Sequence, residues 1–343
     1  MAARSLLRWW RAPWWLLALA TGSKSFLDNP IIGSETLNRR GLHTGRLKLA
    51  HHLAWRRRRR LAADIPESWR DQFDRDGFVA IPDFLPQDVF SRLQSRLLTG
   101  SFDARAQLQG DTVTRRVPLD GRMLEKVPEL RSLIESRMWK SLLAYVASTR
   151  SEPLYYLQTI SIRKNKSAPD PQLELHSDTF HPSLKAWLFL TDVTNDQSAL
   201  TYVPGSHLLT SERLAWEKER SITIAKADRL SQRGSFRISA EELPALGLGP
   251  PRRFAVPANT LVVVDTCGFH ARGPSTEPVV RVELWAYSRR NPFLLWTGLD
   301  LLSWKPLVRR REAWLLRAVD LLDRLGLRKQ VWRPEGRRNP LEP

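Results

Sequence analysis

In Val279-Val280-Arg281-Val282-Glu283-Leu284-Trp285-Ala286-Tyr287-Ser288, small and apolar side chains alternate with large polar and aromatic ones. A period of two belongs to a β-strand, so Val280, Val282, Leu284 and Ala286 stand on one face and Arg281, Glu283, Trp285 and Tyr287 on the other. The first face suits packing against helices. The second puts polar and aromatic groups into a cavity, as a ligand-holding barrel requires.

Other short strand-like runs lie upstream: Tyr155–Ile162, Ala186–Val193, Leu200–Val203 and Thr260–Asp265. Before them the texture is helical. Ile65-Pro66-Glu67-Ser68 is expected to open a helix through Phe73 that ends at Asp76-Gly77, and Pro86-Gln87-Asp88 to cap another through Leu98, with a short strand over Phe78–Phe84 between them. Apolar residues recurring at three and four predict further helix across Met123–Val146. Helices first and many short strands afterwards predict a β-sandwich or jelly roll backed by helices. There is no internal repeat.

The chemistry-bearing residues fall on these strands. Leu173-Glu174-Leu175-His176-Ser177-Asp178-Thr179-Phe180 holds His-x-Asp, whose two side chains point the same way from an extended chain. His270 follows 92 residues beyond Asp178, in Val263-Val264-Asp265-Thr266-Cys267-Gly268-Phe269-His270, and Arg281 stands eleven residues further on. Two imidazoles and one carboxylate on a single face of an octahedron leave positions open, the ligand set of non-haem Fe(II) oxygenases. A guanidinium returning across the turn at Gly273–Pro278 would clamp a carboxylate in two places. His-x-Asp alone is weak, and a lone histidine is more often structural; the order of the four residues on strand-like segments carries the signal.

The chain resembles the phytanoyl-CoA dioxygenase group of Fe(II)- and 2-oxoglutarate-dependent oxygenases. The resemblance rests on His176-Ser177-Asp178, on Lys185–Val193, on Thr201-Tyr202-Val203-Pro204-Gly205-Ser206-His207, and on His270 with Arg281. The Asp76-Gly77-Phe78-Val79 entry is similar to that family's start, and the likeness spans roughly residues 66–290. It implies a double-stranded β-helix, a cupin-like jelly roll, in which His176, Asp178 and His270 hold Fe(II) and Arg281 binds the distal carboxylate of 2-oxoglutarate. Halogenating relatives lack the carboxylate at the Asp178 position, so its presence implies hydroxylation. Ser198-Ala199 departs from the pattern, since relatives commonly carry glycine there. His207 is expected to be structural and His181 a weak candidate beside the metal or substrate. Lys185 has two open roles, facing an anionic substrate or pairing at the surface, and Cys267 reads as a small buried hydrophobe.

Charge divides the chain further. Of the net +18, residues 1–60 carry +11 and residues 289–343 carry +7, which leaves the middle neutral. Nine of fourteen tryptophans lie in the same two arms. We therefore expect an arm over residues 1–62, an oxygenase domain over 63–290 and a basic amphipathic arm over 291–343. Trp9-Trp10-Arg11-Ala12-Pro13-Trp14-Trp15 before a short leucine-rich run suits a bilayer interface, with a signal peptide and a helix packed on its own domain as alternatives. Leu47, Leu49, Ala50, Leu53 and Ala54, followed by Arg56–Arg60, read as a basic amphipathic helix against an anionic surface. Trp314, Leu315, Ala318, Val319, Leu321, Leu322 and Leu325 form a second stripe, which membrane contact and domain closure explain equally well.

These features together suggest a hydroxylase acting on an amphiphilic substrate, a small molecule or a lipid, at the inner, cytoplasmic face of a membrane. A catalytically silent binding protein on the same fold and an oxygenase acting on nucleic acid are the alternatives from other classes. The single cysteine excludes a disulfide framework and any Cys-x-x-Cys metal site. No apolar run reaches the roughly 18–20 residues of a spanning helix.

Overall fold

The computed structural model describes residues 11–162, 170–275, 278–300 and 303–343. The helices are α1 (Ala12–Leu19), α2 (Glu35–Arg39), α3 (Leu42–Leu61), α4 (Glu67–Asp76), α5 (Gln87–Thr99), α6 (Gly121–Lys126), α7 (Pro128–Glu135), α8 (Arg137–Ala147), α9 (Ser211–Ile222), α10 (Arg229–Gln232) and α11 (Lys305–Arg324). The strands are β1 (Phe78–Ile81), β2 (Phe102–Gln109), β3 (Thr112–Pro118), β4 (Leu154–Ile162), β5 (Leu184–Phe189), β6 (Leu200–Tyr202), β7 (Arg252–Arg253), β8 (Leu261–Asp265), β9 (His270–Arg272), β10 (Val279–Ser288) and β11 (Arg333–Arg338).

They build two antiparallel sheets. The larger runs β1-β8-β5-β10-β4-β3-β2-β11 and the smaller β7-β6-β9. This is a jelly roll backed by helices, and among the described residues the sheets do not close into a barrel. β10 lies between β4 and β5, with Arg281 opposite Ile160 and Trp285 opposite both Tyr156 and Trp187. The alternation read from its sequence divides two cores. Val282, Leu284 and Ala286 pack with Leu261 and Val263 of β8 against the helices. Trp285 turns the other way and joins Trp187, Phe189, Tyr202, Val262 and Val264 between the sheets.

α4 stops at Gly77, whose φ of +82° favours glycine, and a Cβ there would lie 2.5 Å from the His207 ring. The strand expected over 78–84 ends early at Ile81, because the chain turns through Asp83 at φ +46°. The helix expected across Met123–Val146 is three helices: Pro128 opens α7, and Ser136 caps α8 by accepting from the Trp139 N–H. The β2–β3 hairpin was not anticipated.

α3 carries the main finding about the basic segments. Leu47, Ala50, Leu53, Ala54 and Leu61 are buried, as the helical spacing requires, but so are Arg46, Arg57 and Arg58. Arg58 is 1% exposed and pairs at 2.6 Å with Asp265, itself 0% exposed. Arg57 donates to the carbonyls of Ser148, Pro292 and Leu294. Two of the five arginines thus tie the helix to the domain, and its outward face is left with Lys48, Leu49, His52, Arg56, Arg59 and Arg60. At the other end the chain returns to the large sheet as β11, beside β2. α1 has no buried residue, and Trp314, Leu315 and Leu321 of α11 are exposed, as is Leu325 just after it. No helix among the described residues is long and apolar enough to cross a membrane. Trp9 and Trp10 lie outside the described residues.

Candidate metal centre and adjoining cavity

His176 and His270 meet through their backbones before their side chains meet. Each N–H donates to the other's carbonyl at 2.9 Å, an isolated antiparallel bridge between the end of the loop after Asp170 and the start of β9. The Asp178 N–H donates to the Thr266 carbonyl at 2.9 Å. Main-chain bonds thereby fix His270 against His176 and Asp178, some 90 residues earlier in the chain. The His176 Nε2 and His270 Nε2 each lie 3.6 Å from Asp178 Oδ1.

The donor chemistry fits a divalent metal. The His176 Nδ1 lies 2.7 Å from the Glu174 carbonyl, and the His270 Nδ1 lies 3.0 Å from the Gly268 carbonyl. A carbonyl only accepts, so each ring carries its proton on Nδ1 and turns the Nε2 lone pair inward. The His270 Nε2 is buried and has no hydrogen-bond partner. Burial lowers His176 to about 4, which keeps it neutral and able to ligate. Burial alone would raise the Asp178 carboxyl, but the Lys185 ammonium beside it holds it well below the usual carboxylate range. Asp178 is 26% exposed, so this side of the cluster is open.

The loop from Asp265 to His270 is held from several sides. Asp265 accepts from the Ser183 and Cys267 N–H groups at 3.0 and 3.1 Å, and Arg58 covers its other oxygen. Tyr202 donates to the Asp265 carbonyl at 2.8 Å. Ser206 of the Pro-Gly-Ser-His turn accepts from the Phe269 N–H at 2.8 Å. A Cβ on Gly268 would lie 2.0 Å from the Tyr202 hydroxyl oxygen, so only glycine fits. His207 is buried against Phe73 and Trp55 and is not part of the His176–Asp178–His270 cluster. His181 is also buried, its Nδ1 spent on the Pro182 carbonyl. Cys267 is buried.

A cavity of about 290 Å³ runs from His270 and Lys185 past Trp187 and Trp285 to Gln158 and Arg281. Arg281 donates through Nε to Glu283 Oε2 at 2.7 Å, and through Nη1 to the Ser198 carbonyl. Gln158 donates to Glu283 at 2.7 Å and accepts from Arg116 at 2.8 Å. The Arg116 guanidinium lies 3.9 Å from the Trp285 ring centroid and 4.4 Å from that of Trp332. Glu283 and Arg116 belong to this network and were not singled out from sequence. The alternation in β10 placed Glu283 in the cavity, but nothing in the pattern showed that it pairs with Arg281. Ser198, the departure from the family's glycine, adopts φ +58°, the conformation glycine would favour.

The family model described as Phytanoyl-CoA dioxygenase (PhyH) matches residues 73–240. No curated protein matches the chain by sequence. Among solved structures, the chain is similar to the epimerase SnoN from nogalamycin biosynthesis, in complex with Fe3+, alpha ketoglutarate and nogalamycin RO. Identity is 20%, with 70% of this chain and 93% of that one covered and a TM-score of 0.42. It is also similar to HygX from Streptomyces hygroscopicus with nickel, 2-oxoglutarate and hygromycin B bound, at 17% identity, 71% and 94% coverage and a TM-score of 0.40.

Proposed function

Through residues 73–240 the chain belongs to the phytanoyl-CoA dioxygenase family of 2-oxoglutarate-dependent oxygenases, and on that premise we propose that it hydroxylates an amphiphilic substrate using Fe(II) held by His176, Asp178 and His270. The observation that carries the reading is the convergence of these three donor atoms, within 4.8 Å of one another, with His270 lining a cavity that Arg281 also lines. Fe(II) and 2-oxoglutarate supply the oxidising chemistry when bound: oxygen is consumed, 2-oxoglutarate becomes succinate and CO2, and a substrate C–H becomes C–OH.

The protein's own contribution is to hold and orient. The mutual backbone bridge fixes both imidazoles, and their Nδ1 protons stay on carbonyl oxygens, so neither ring has to reorganise to ligate. Arg281 would receive the distal carboxylate of 2-oxoglutarate, with the Ser198 carbonyl and Glu283 fixing its guanidinium. Trp187 and Trp285 line the same cavity as His270 and Arg281.

The amphiphilic part of the proposal rests on surface chemistry. Trp314, Leu315 and Leu321 of α11 and Leu325 just after it repeat at helical spacing and stay exposed, with Arg310, Arg317 and Arg324 also exposed along the helix. Trp14, Leu16 and Leu17 of α1 are likewise exposed. Apolar residues interleaved with arginine complement an anionic leaflet, each cation adding about 1 kcal/mol. Flotation with anionic vesicles at moderate salt tests this part, and a protein left at the bottom refutes it. For the oxygenase itself, wild type is expected to release succinate from 2-oxoglutarate and to retain iron, and Asp178→Ala is expected to do neither. Iron-free, inactive wild type would refute it.

A further inference from the structure

We propose that the substrate carries an anionic group, a carboxylate or a phosphate, and that Lys24 and Lys185 receive it beside Asp178. This rests on the oxygenase reading and narrows its substrate class.

The proposal begins with residues 19–26, a strap outside the family-matched region. Arg46 donates to the carbonyls of Leu19, Thr21 and Ser23 at 3.1, 2.8 and 2.8 Å, and its guanidinium lies 4.7 Å from the Phe180 ring centroid. Arg289 donates to the Gly22 carbonyl at 2.6 Å, and the Phe26 N–H donates to Gln232 at 2.9 Å. A Cβ on Gly22 would lie 3.0 Å from the His181 Nε2, so the strap runs close over the segment that follows Asp178. Pinned in this way, it delivers the Lys24 ammonium to the Asp178 backbone carbonyl.

Lys185 approaches the same residue from β5, its Nζ 2.6 Å from Asp178 Oδ2. The other oxygen, Oδ1, is the one facing both imidazoles. Two ammonium groups therefore converge on one residue, Lys24 at its backbone carbonyl and Lys185 at its carboxylate, and a bound metal would draw on that same carboxylate. Arg237 and Arg289 add further positive charge close to Lys24, and Glu174, beside Arg237 at 3.5 Å, is 67% exposed. Among the described residues Lys24 donates to a neutral carbonyl rather than to a carboxylate, and it shares the Asp178 charge with Lys185, which is a costly arrangement for a largely desolvated ammonium. An anionic group on the substrate would supply the missing partner through charge-assisted hydrogen bonds. Lysine suits this task, because its three donors rotate to meet carboxylate or phosphate oxygens as they arrive. Lys185 lines the cavity, so an anion held there would lie next to the metal ligands.

The test uses the full chain loaded with Ni(II) and 2-oxoglutarate, titrated calorimetrically with inorganic phosphate and with acetate. A second arm replaces these with phosphatidylcholine vesicles with and without phosphatidic acid, which separates a free anion from a lipid headgroup. Wild type is expected to bind an anion in at least one arm. Loss of one charged hydrogen bond in Lys24→Met should weaken that binding about tenfold, and Lys185→Gln should weaken it similarly. Lys24→Arg, which keeps the charge, should restore most of it and so separates lost recognition from lost folding. A wild type that takes up Ni(II) and 2-oxoglutarate but neither anion nor vesicle overturns the proposal. So does a Lys24→Met variant that binds as wild type does. A wild type that fails to take up Ni(II) and 2-oxoglutarate overturns the oxygenase reading on which it rests.

Discussion

Replacing Arg58 by methionine removes a cation that is 1% exposed and leaves Asp265, 0% exposed, without its charge partner. Burial alone would raise Asp265, and Arg58 together with the Ser183 N–H holds it below the ordinary range. Methionine fills much of the space of the stem but donates nothing to Asp265 or to the Val146 carbonyl, 2.7 Å from Arg58 Nη2. Removing one partner of a buried pair costs about 3–5 kcal/mol, which in a domain of this size lowers Tm by on the order of 10 °C. Urea unfolding followed by circular dichroism should show the midpoint falling with an unchanged slope. The double variant Arg58→Met with Asp265→Asn removes both charges and should recover more than about 1 kcal/mol relative to additivity. Because Asp265 also accepts from the Cys267 N–H in the loop that leads to His270, Arg58→Met should retain less iron. A loss below about 1 kcal/mol, or strict additivity in the double variant, would refute the claim that α3 anchors this loop.

Three further outcomes follow from the structure. Ser198→Gly should be neutral or stabilising by up to about 1 kcal/mol, and Ser198→Val destabilising, since the position sits at φ +58°; thermal melts check both. Gly268→Ala should lose iron and lower Tm, because its Cβ would overlap the Tyr202 hydroxyl; metal content by elemental analysis measures it. Glu312 of α11 is pushed up from 4.5 to about 7, chiefly by burial. A carboxyl raised in the folded chain binds its proton more tightly there, so stability declines as pH rises from 4.5 to 7 and the full penalty stands above 7. Glu312→Gln should therefore raise stability at pH 8 by at most about 3 kcal/mol and leave it unchanged near pH 4; melts at the two pH values decide it.

What was legible in the sequence was periodic or tied to a fixed order of residues. The alternation in β10 gave both its faces, and the helices flanking Gly77 and Pro86 fall where their start and stop residues put them. His176, Asp178 and His270 were legible as a set because strand periodicity aligns the first two and the family's order adds the third. The role of Arg57 and Arg58 was not legible. A run of five arginines reads as a surface feature, and only the fold reveals Asp265 and a row of open carbonyls waiting inside. Glu283 was visible on the cavity face, yet its pairing with Arg281 depends on rotamers that no spacing encodes. The strap was missed for a similar reason: Lys24 meets Asp178 across 154 residues, held by side-chain bonds to backbone carbonyls that leave no pattern in the chain.

The most direct test of the account measures succinate released from 2-oxoglutarate by the Fe(II)-loaded full chain in air, beside Asp178→Ala and Arg281→Ala, with and without a total membrane lipid extract. The account predicts release by wild type that rises with the extract and is lost in both variants, with iron retained by Arg281→Ala and lost by Asp178→Ala. Equal release by wild type and Asp178→Ala, or a wild type that neither retains iron nor consumes 2-oxoglutarate, would contradict it.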